Sequence, residues 1–166
     1  MEQALEFGKA DATSQIGRVL IAEIDAYLKD LYPDSIGLCY RASPEEINTN
    51  GIFFLATLDG NAVGCGALKR TKFDEIELKR FYLRPEARGK GLAKKMLAIL
   101  EAEALAMGFE TIFLETGPPQ IEAVALYEGA GYERCGPFGG YPDNPLSIFM
   151  EKRLVDELSQ SNGSAA

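Results

Sequence analysis

Two glycines separated by one residue, Gly89 and Gly91, stand between a strand-like run and a long apolar-periodic one, and this junction constrains the fold more than any other stretch. Ile76-Glu77-Leu78-Lys79-Arg80-Phe81-Tyr82-Leu83 reads as a strand, Arg84-Pro85-Glu86-Ala87-Arg88-Gly89-Lys90-Gly91-Leu92-Ala93 as a turn, and the residues on to Gly108 as a helix. Glycine lets a backbone come close to a ligand, and the first amides of a helix have no intrahelical acceptor. The junction is therefore a predicted anion site, suited to a phosphorylated small molecule. Charge supports this. Between Lys79 and Lys95 lie Lys79, Arg80, Arg84, Arg88, Lys90, Lys94 and Lys95 against one acid, Glu86, in a chain whose net charge is −8. A solvated helix face can also collect such charges; their coincidence with the glycine turn favours the anion site.

The pattern is not a P-loop, because no Gly-Lys-Ser/Thr follows at the required spacing, and not a dinucleotide fingerprint, because Lys94 stands where its third glycine belongs. Arg88-Gly89-Lys90-Gly91-Leu92-Ala93, behind Leu83-Arg84-Pro85-Glu86, resembles instead the GCN5-related N-acetyltransferase (GNAT) signature Gln/Arg-x-x-Gly-x-Gly/Ala. A second block, Gln120-Ile121-Glu122-Ala123-Val124-Ala125-Leu126-Tyr127-Glu128-Gly129-Ala130-Gly131-Tyr132, is similar to that family's Asn-x-x-Ala-x-x-Leu-Tyr-x-x-x-Gly-Phe. Gln120 replaces the usual Asn and Tyr132 the usual Phe. The resemblance covers about residues 50–153.

The rest of the chain fits one α/β domain over residues 1–153 with a tail at 154–166, of which Ser159–Ala166 is polar and small enough to fray. A chain of 166 residues buries about two thirds of its unfolded surface. Leu5 and Phe7 suggest a short strand over 3–8, and Asp11-Ala12-Thr13-Ser14 offers caps for a helix from Gln15 to Leu31 carrying Ile16, Val19, Leu20, Ile24, Tyr27, Leu28 and Leu31 on one stripe. Residues 33–50 read as loop with a helical turn begun at Ser43-Pro44. Gly51–Leu58 and Ala62–Lys69 flank Asp59-Gly60-Asn61 as a hairpin, and Glu75–Leu83 extends it into an antiparallel meander. The following helix, about Lys90–Met107, buries Leu92, Met96, Leu97, Leu100 and Ala104 and exposes Lys94, Lys95 and Glu101. Thr111–Glu115 then lies parallel to the organising strand, because a helix connects them. A short helix from Ile121 to about Gly129 and a late pair, Tyr132–Cys135 with Ser147–Arg153, complete the order.

The resemblance implies a mostly antiparallel sheet with splayed central strands flanked by helices, acetyl-CoA as co-substrate, and a small-molecule or peptide amine as acceptor. The coenzyme's pantetheine would add to the sheet between Tyr82-Leu83 and Leu114-Glu115. Arg88, Gly89, Lys90, Gly91, Leu92 and Ala93 would wrap its diphosphate, and Gln120 would reach the pantetheine or a water. An amine of pKa ~10.4 must lose a proton before it attacks. Glu77 is the implied base, with Glu75 on the same strand face and water as alternatives; the bland reading of Glu77 is an exposed, salt-bridged surface acid. A backbone amide near Leu83 would meet the developing oxyanion. Tyr127 is the implied acid toward the leaving sulfur, against the alternative of a packed tyrosine bonded to a carbonyl. Gly136–Pro145 reads equally as a lid or as a rigid turn packed on its own rings.

Cys39, Cys65 and Cys135 are widely spaced and no histidine is present, which argues against a Cys/His zinc site or any other metal requirement, and against a disulfide framework. No apolar run approaches the ~20 residues that span a bilayer, and no signal segment opens the sequence, so a cytoplasmic protein without membrane attachment is expected. A net charge of −8 argues against nucleic-acid binding. Two other functions compete with transfer: a non-catalytic acyl-CoA-binding regulatory module, and a nucleic-acid adaptor using the cationic stretch. Homodimers are common in the family, although no seam for one is visible in the sequence.

Overall fold

The computed structural model describes residues 4–32 and 42–154. The chain runs β1 (Leu5–Ala10), α1 (Gln15–Leu31), α2 (Pro44–Asn50), β2 (Gly51–Leu58), β3 (Asn61–Arg70), β4 (Ile76–Leu83), a 3-10 turn at Pro85–Ala87, α3 (Leu92–Ala106), β5 (Thr111–Thr116), α4 (Ile121–Gly129), β6 (Glu133–Cys135) and β7 (Ile148–Arg153). Among the described residues the strands form one seven-stranded sheet in the order β1-β2-β3-β4-β5-β7-β6. Only β4 and β5 pair in parallel, because α3 carries the chain from one end of β4 back to the start of β5. The mixed α/β fold with a mostly antiparallel sheet is thus the observed one.

Local chemistry sets the helix boundaries. Ser14 caps α1 by accepting the Gly17 N–H at 3.1 Å, while α2 carries a reciprocal capping box between Ser43 and Glu46, with Pro44 at its first position. α3 begins at Leu92, two residues later than its periodicity suggests, because Gly91 adopts a left-handed conformation and is the N-cap. β1 likewise runs to Ala10, beyond the expected 3–8, since Ala10 still pairs with Phe53.

Two apolar layers cover the sheet. On one face α1 and α2 bring Leu20, Ile21, Ile24 and Ile47 onto Phe53, Cys65 and Ala67. On the other, α3 and α4 bring Leu97, Leu100, Ala104 and Tyr127 onto Phe54, Leu68, Ile76, Leu78, Leu114 and Met150. The five α3 residues expected inside are all buried. Glu101 is a correction: it is nearly buried rather than exposed, because Lys152 reaches it from β7 with Nζ 2.7 Å from Oε1. In α1, Val19 and Tyr27 are exposed, and Ile21, absent from the expected stripe, is inside. The helix is rotated so that its Tyr27 edge faces a cavity described below.

In the stretch Gly136–Pro145, Phe138 packs on a ring of the same segment and on rings of the sheet. Phe138 is buried against Phe113, Phe149 and Tyr141, with centroids 5.0, 5.7 and 5.5 Å away. Leu154, expected to open the tail, is buried instead, its amide donating to the Glu110 carbonyl at 2.8 Å, while Cys39 and residues 155–166 lie outside the described residues.

Leu100 is fully enclosed between α3 and the sheet. Leu100→Ala should lower stability by about 2–5 kcal/mol, read from the urea midpoint at unchanged slope.

Candidate active site

The site begins with one extra residue in β4. Cys65 pairs with Tyr82 and Ala67 with Lys79, so Arg80 and Phe81 together oppose the single residue Gly66. Arg80 takes φ +53°, a conformation that non-glycine residues rarely adopt. Such a bulge bends its strand. On the other side of β4, pairing with β5 stops at Leu78↔Leu114. Beyond that pair the two strands are no longer joined, and a cavity of about 500 Å³ opens between them. Its walls come from both layers: Ile24, Leu28 and Tyr32 from the α1 side, Ala123, Leu126 and Tyr127 from α4.

Arg80 is held where it is by its own side chain. Its guanidinium donates twice to the Ala42 carbonyl, at 3.0 and 3.1 Å, and pairs with Asp25 at 2.7 Å. Arg84, at the end of β4, makes a two-pronged contact to Glu23, Nε–Oε1 3.0 Å and Nη2–Oε2 2.7 Å. That hydrogen bonding holds the Glu23 carboxyl below its usual range. Tyr82 completes the contact, donating to Glu23 Oε1 at 3.3 Å. The α1 wall of the cavity is therefore tied to β4 by charge as well as by packing.

At one end the cavity meets the start of α3. Gly89 and Gly91 have φ +78° and +75°, and a Cβ on either would meet nothing within 4 Å, so backbone conformation rather than crowding calls for glycine there. No side chain caps α3, and among the described residues no acceptor engages the amides of 89–94. Arg88 folds back to donate from Nε to the Leu83 carbonyl at 2.8 Å, with its guanidinium 5.9 Å from the Tyr27 and Tyr82 ring centres. Of the seven cations in this stretch, Lys79, Arg80 and Arg84 have acidic partners within the fold. The charge facing an anion at α3 comes from Arg88 and Lys94, which line the cavity, whereas Lys90 does not.

The strand end opposite carries two polar atoms without partners. Thr116 is 5% exposed and its Oγ1 is buried with no hydrogen bond, and Glu115 Oε2 is in the same condition. Successive strand residues face opposite sides, so Thr116 lies with Leu114 toward the α4 layer and Glu115 with Phe113 toward the other. Glu115 Oε1 accepts from Ser147 Oγ at 3.3 Å. Burial raises the Glu115 carboxyl above its ordinary value, opposed by Lys79 and reinforced by Glu77.

The residues expected from sequence fall into two groups. The first surrounds the cavity: Tyr82, Leu83, Arg88, Gly89, Gly91, Leu92, Ala93, Gln120 and Tyr127. Tyr127 is buried, its hydroxyl has no partner among the described residues, and burial pushes its pKa up. It is not bonded to a carbonyl. Gln120 uses its side-chain amide to donate to Tyr32 Oη at 3.3 Å, which joins the end of α1 to the start of α4. The second group stands apart. Lys90 points to solvent. Glu77 is fully buried, which overturns the exposed surface-acid reading, and it is not among the cavity-lining residues. Tyr141 donates to its Oε2 at 2.8 Å, and Lys79 Nζ lies 3.0 Å from Oε1 in ion-pair contact. Glu75 accepts from Thr71 and the Gly139 amide, both at 3.1 Å, and anchors the 136–146 turn. Sequence reading gave no role to Thr116 or Tyr32, named Glu115 only as part of the strand edge of the slot, and counted Arg80 only within the cationic stretch. One signal for Glu115 was present: it is the acid closing an apolar strand, Ile112-Phe113-Leu114.

Comparison with known proteins places these features. The acetyltransferase (GNAT) family model matches residues 16–132. An IAA acetyltransferase of Azospirillum brasilense is 41% identical over 140 residues, 81% of this chain and 88% of that one. Among solved structures, a Klebsiella pneumoniae chain assigned as an acyl-CoA N-acyltransferase superposes with TM-score 0.75 at 34% identity, over 90% of this chain and 97% of its own. A GNAT acetyltransferase from Elizabethkingia anophelis with acetyl-CoA bound shares the fold, with TM-score 0.65 at 18% identity over 90% and 97% of the two chains.

Two stability effects follow from this geometry. Gly91→Ala should cost about 1–2 kcal/mol in urea unfolding, from the left-handed φ alone. A carboxyl raised by folding binds more protons folded than unfolded, so stability falls as pH rises from the ordinary 4.5 toward the raised value. Glu115→Gln removes that loss. Its Tm should exceed that of the unsubstituted protein at neutral pH, with the difference closing below about pH 4.

Proposed function

Because the chain belongs to the GNAT family of acetyltransferases, we propose that it transfers the acetyl group of acetyl-CoA to a primary amine, small-molecule or peptide, by direct attack. The observation that carries this is the uncapped start of α3 at the open end of the gap between β4 and β5. The residues present fit the coenzyme. Free amides over 89–94 and the flanking Arg88 and Lys94 suit a diphosphate. The unpaired strand ends offer backbone partners to an extended chain of amides, and the buried Thr116 Oγ1 lacks the hydrogen bond such a chain would supply.

When bound, the coenzyme supplies a thioester whose carbonyl carbon is open to an amine. The protein holds and orients both reactants. Arg84 N–H bonds back to β3 through the Val63 carbonyl at 2.7 Å, so by strand alternation the Leu83 amide faces the gap, where it can donate to the thioester oxygen. Tyr127 keeps its proton at neutral pH, since burial raises its pKa, and its unpartnered hydroxyl is available to protonate the departing sulfur. Arg80 fixes the bulge and, through Asp25 and Ala42, the α1 wall against which an acceptor would rest. Glu77, behind the cavity wall, holds Lys79 and Tyr141 in place and could take a proton only through one of them.

Calorimetric titration with acetyl-CoA should show binding, and a panel of primary amines should show thiol release. Coenzyme binding with no release from any acceptor would leave a non-catalytic binding module. Tyr127→Phe should lower kcat by about 10²–10⁴-fold with coenzyme affinity kept, because no hydrogen bond within the protein is lost.

A further inference from the structure

The cavity has a donor end and an acceptor end, and the two differ in charge. The donor end lies at α3 and is cationic. The opposite end is bounded by Ile24, Leu28 and Tyr32 of the α1 layer, by Leu146, and by Glu115 with Lys79 on the sheet. The charged groups there do not cancel. Lys79 is set 3.0 Å from the fully buried Glu77. Arg80, the other cation on this part of the wall, is paired with Asp25. Glu115 remains, with one oxygen on Ser147 and the other buried without a partner. It comes directly after Leu114, the last residue of β5 paired to β4, so it stands where the gap begins.

We propose that Glu115 is the residue that receives the acceptor: its Oε2 takes the ammonium group of an organic cation with an apolar body and removes the proton that must leave before attack. This rests on the acetyltransferase reading and deepens it. A buried carboxylate oxygen with no donor is costly, and an ammonium supplies the donor and the opposite charge together. The apolar and aromatic residues around it would cover the rest of the molecule.

The proton balance closes. One N–H bond of the ammonium breaks as an O–H bond forms on Glu115. The freed nitrogen pair makes the C–N bond while the C–S bond breaks, and the sulfur takes the Tyr127 proton. The nitrogen's second proton restores Tyr127, and Glu115 releases its own to solvent. The groups facing Glu115 are Lys79 and Glu77 from β4, Tyr32 from the end of α1, and Tyr141 and Ser147 from the segment before β7. Burial and Glu77 raise its carboxyl while Lys79 and Ser147 restrain the rise, so the group is a stronger base than an exposed glutamate.

The test pairs two probes alike in shape and different in charge, phenethylammonium and 2-phenylethanol, titrated by calorimetry near neutral pH into the full chain without coenzyme. The unsubstituted protein should prefer the cation by about tenfold or more, Glu115→Asp should keep a preference, and Glu115→Gln should abolish it with its melting transition intact. In turnover with phenethylamine, Glu115→Gln should lower kcat/KM by about 10²-fold and remove the acid limb of its pH profile. A cation preference that survives Glu115→Gln, or none in the unsubstituted protein, overturns the proposal. Acetyl-CoA titrated separately distinguishes the two readings. Coenzyme heat without cation preference defeats this inference alone, whereas cation preference without coenzyme heat defeats the acetyltransferase reading and leaves Glu115 as an ammonium site.

Discussion

The structure turns on the extra residue that β4 carries at Arg80. Opposite a single Gly66, Arg80 and Phe81 cannot both continue the pleat, and the strand bends. The bend coincides with the last β4–β5 pair, so the ladder between the two central strands ends inside the sheet rather than at its rim. Unpaired backbone in the middle of a sheet is unfavourable unless something else meets it. The gap therefore makes sense as a binding slot, and the features that follow from it are its furnishings: free amides at one end, Thr116 and Glu115 at the other.

A left-handed backbone at a non-glycine residue costs free energy and persists only where its surroundings hold it. Here the holding is done by ionic contacts across the α1 layer. Arg80 joins Asp25 to the Ala42 carbonyl, and Arg84 with Tyr82 grips Glu23. These groups are partly screened from water, where a two-pronged guanidinium–carboxylate contact is more directional than a lysine would allow. The same contacts set the distance of α1 from the gap, and with it the width of the cavity on that side. The cationic stretch so conspicuous in the sequence is thus divided in place, Arg80 and Arg84 bracing α1 while Arg88 and Lys94 line the cavity.

Much of the fold was legible because its determinants are local. Ser14 and Ser43 cap the helices they precede, Asp59-Gly60 turns the hairpin, and the α3 periodicity named all five buried residues. The turn before α3 was legible for the same reason, since Gly89 and Gly91 act through their own φ. Errors arose where a residue's surroundings come from far along the chain. Glu101 is nearly buried because Lys152, 51 residues later, reaches it. Glu77 is buried where an exposed surface acid was the alternative, and Tyr141, 64 residues later, donates to its carboxylate.

By itself the sequence determined the order of elements, the parallel crossing through α3 and the glycine-bounded start of that helix, since each depends on turn chemistry and periodicity within a few residues. Only the tertiary structure decided which carboxylate meets the cavity. Glu77 and Glu115 are both acids on central strands, and their neighbours along the chain do not show which of the two faces the cavity. One has Tyr141 donating to one oxygen and Lys79 in ion-pair contact with the other, while Glu115 has Ser147 on one oxygen and, among the described residues, neither hydrogen bond nor close cation on the other, and that difference is made by residues brought together from β4, β5 and the segment before β7.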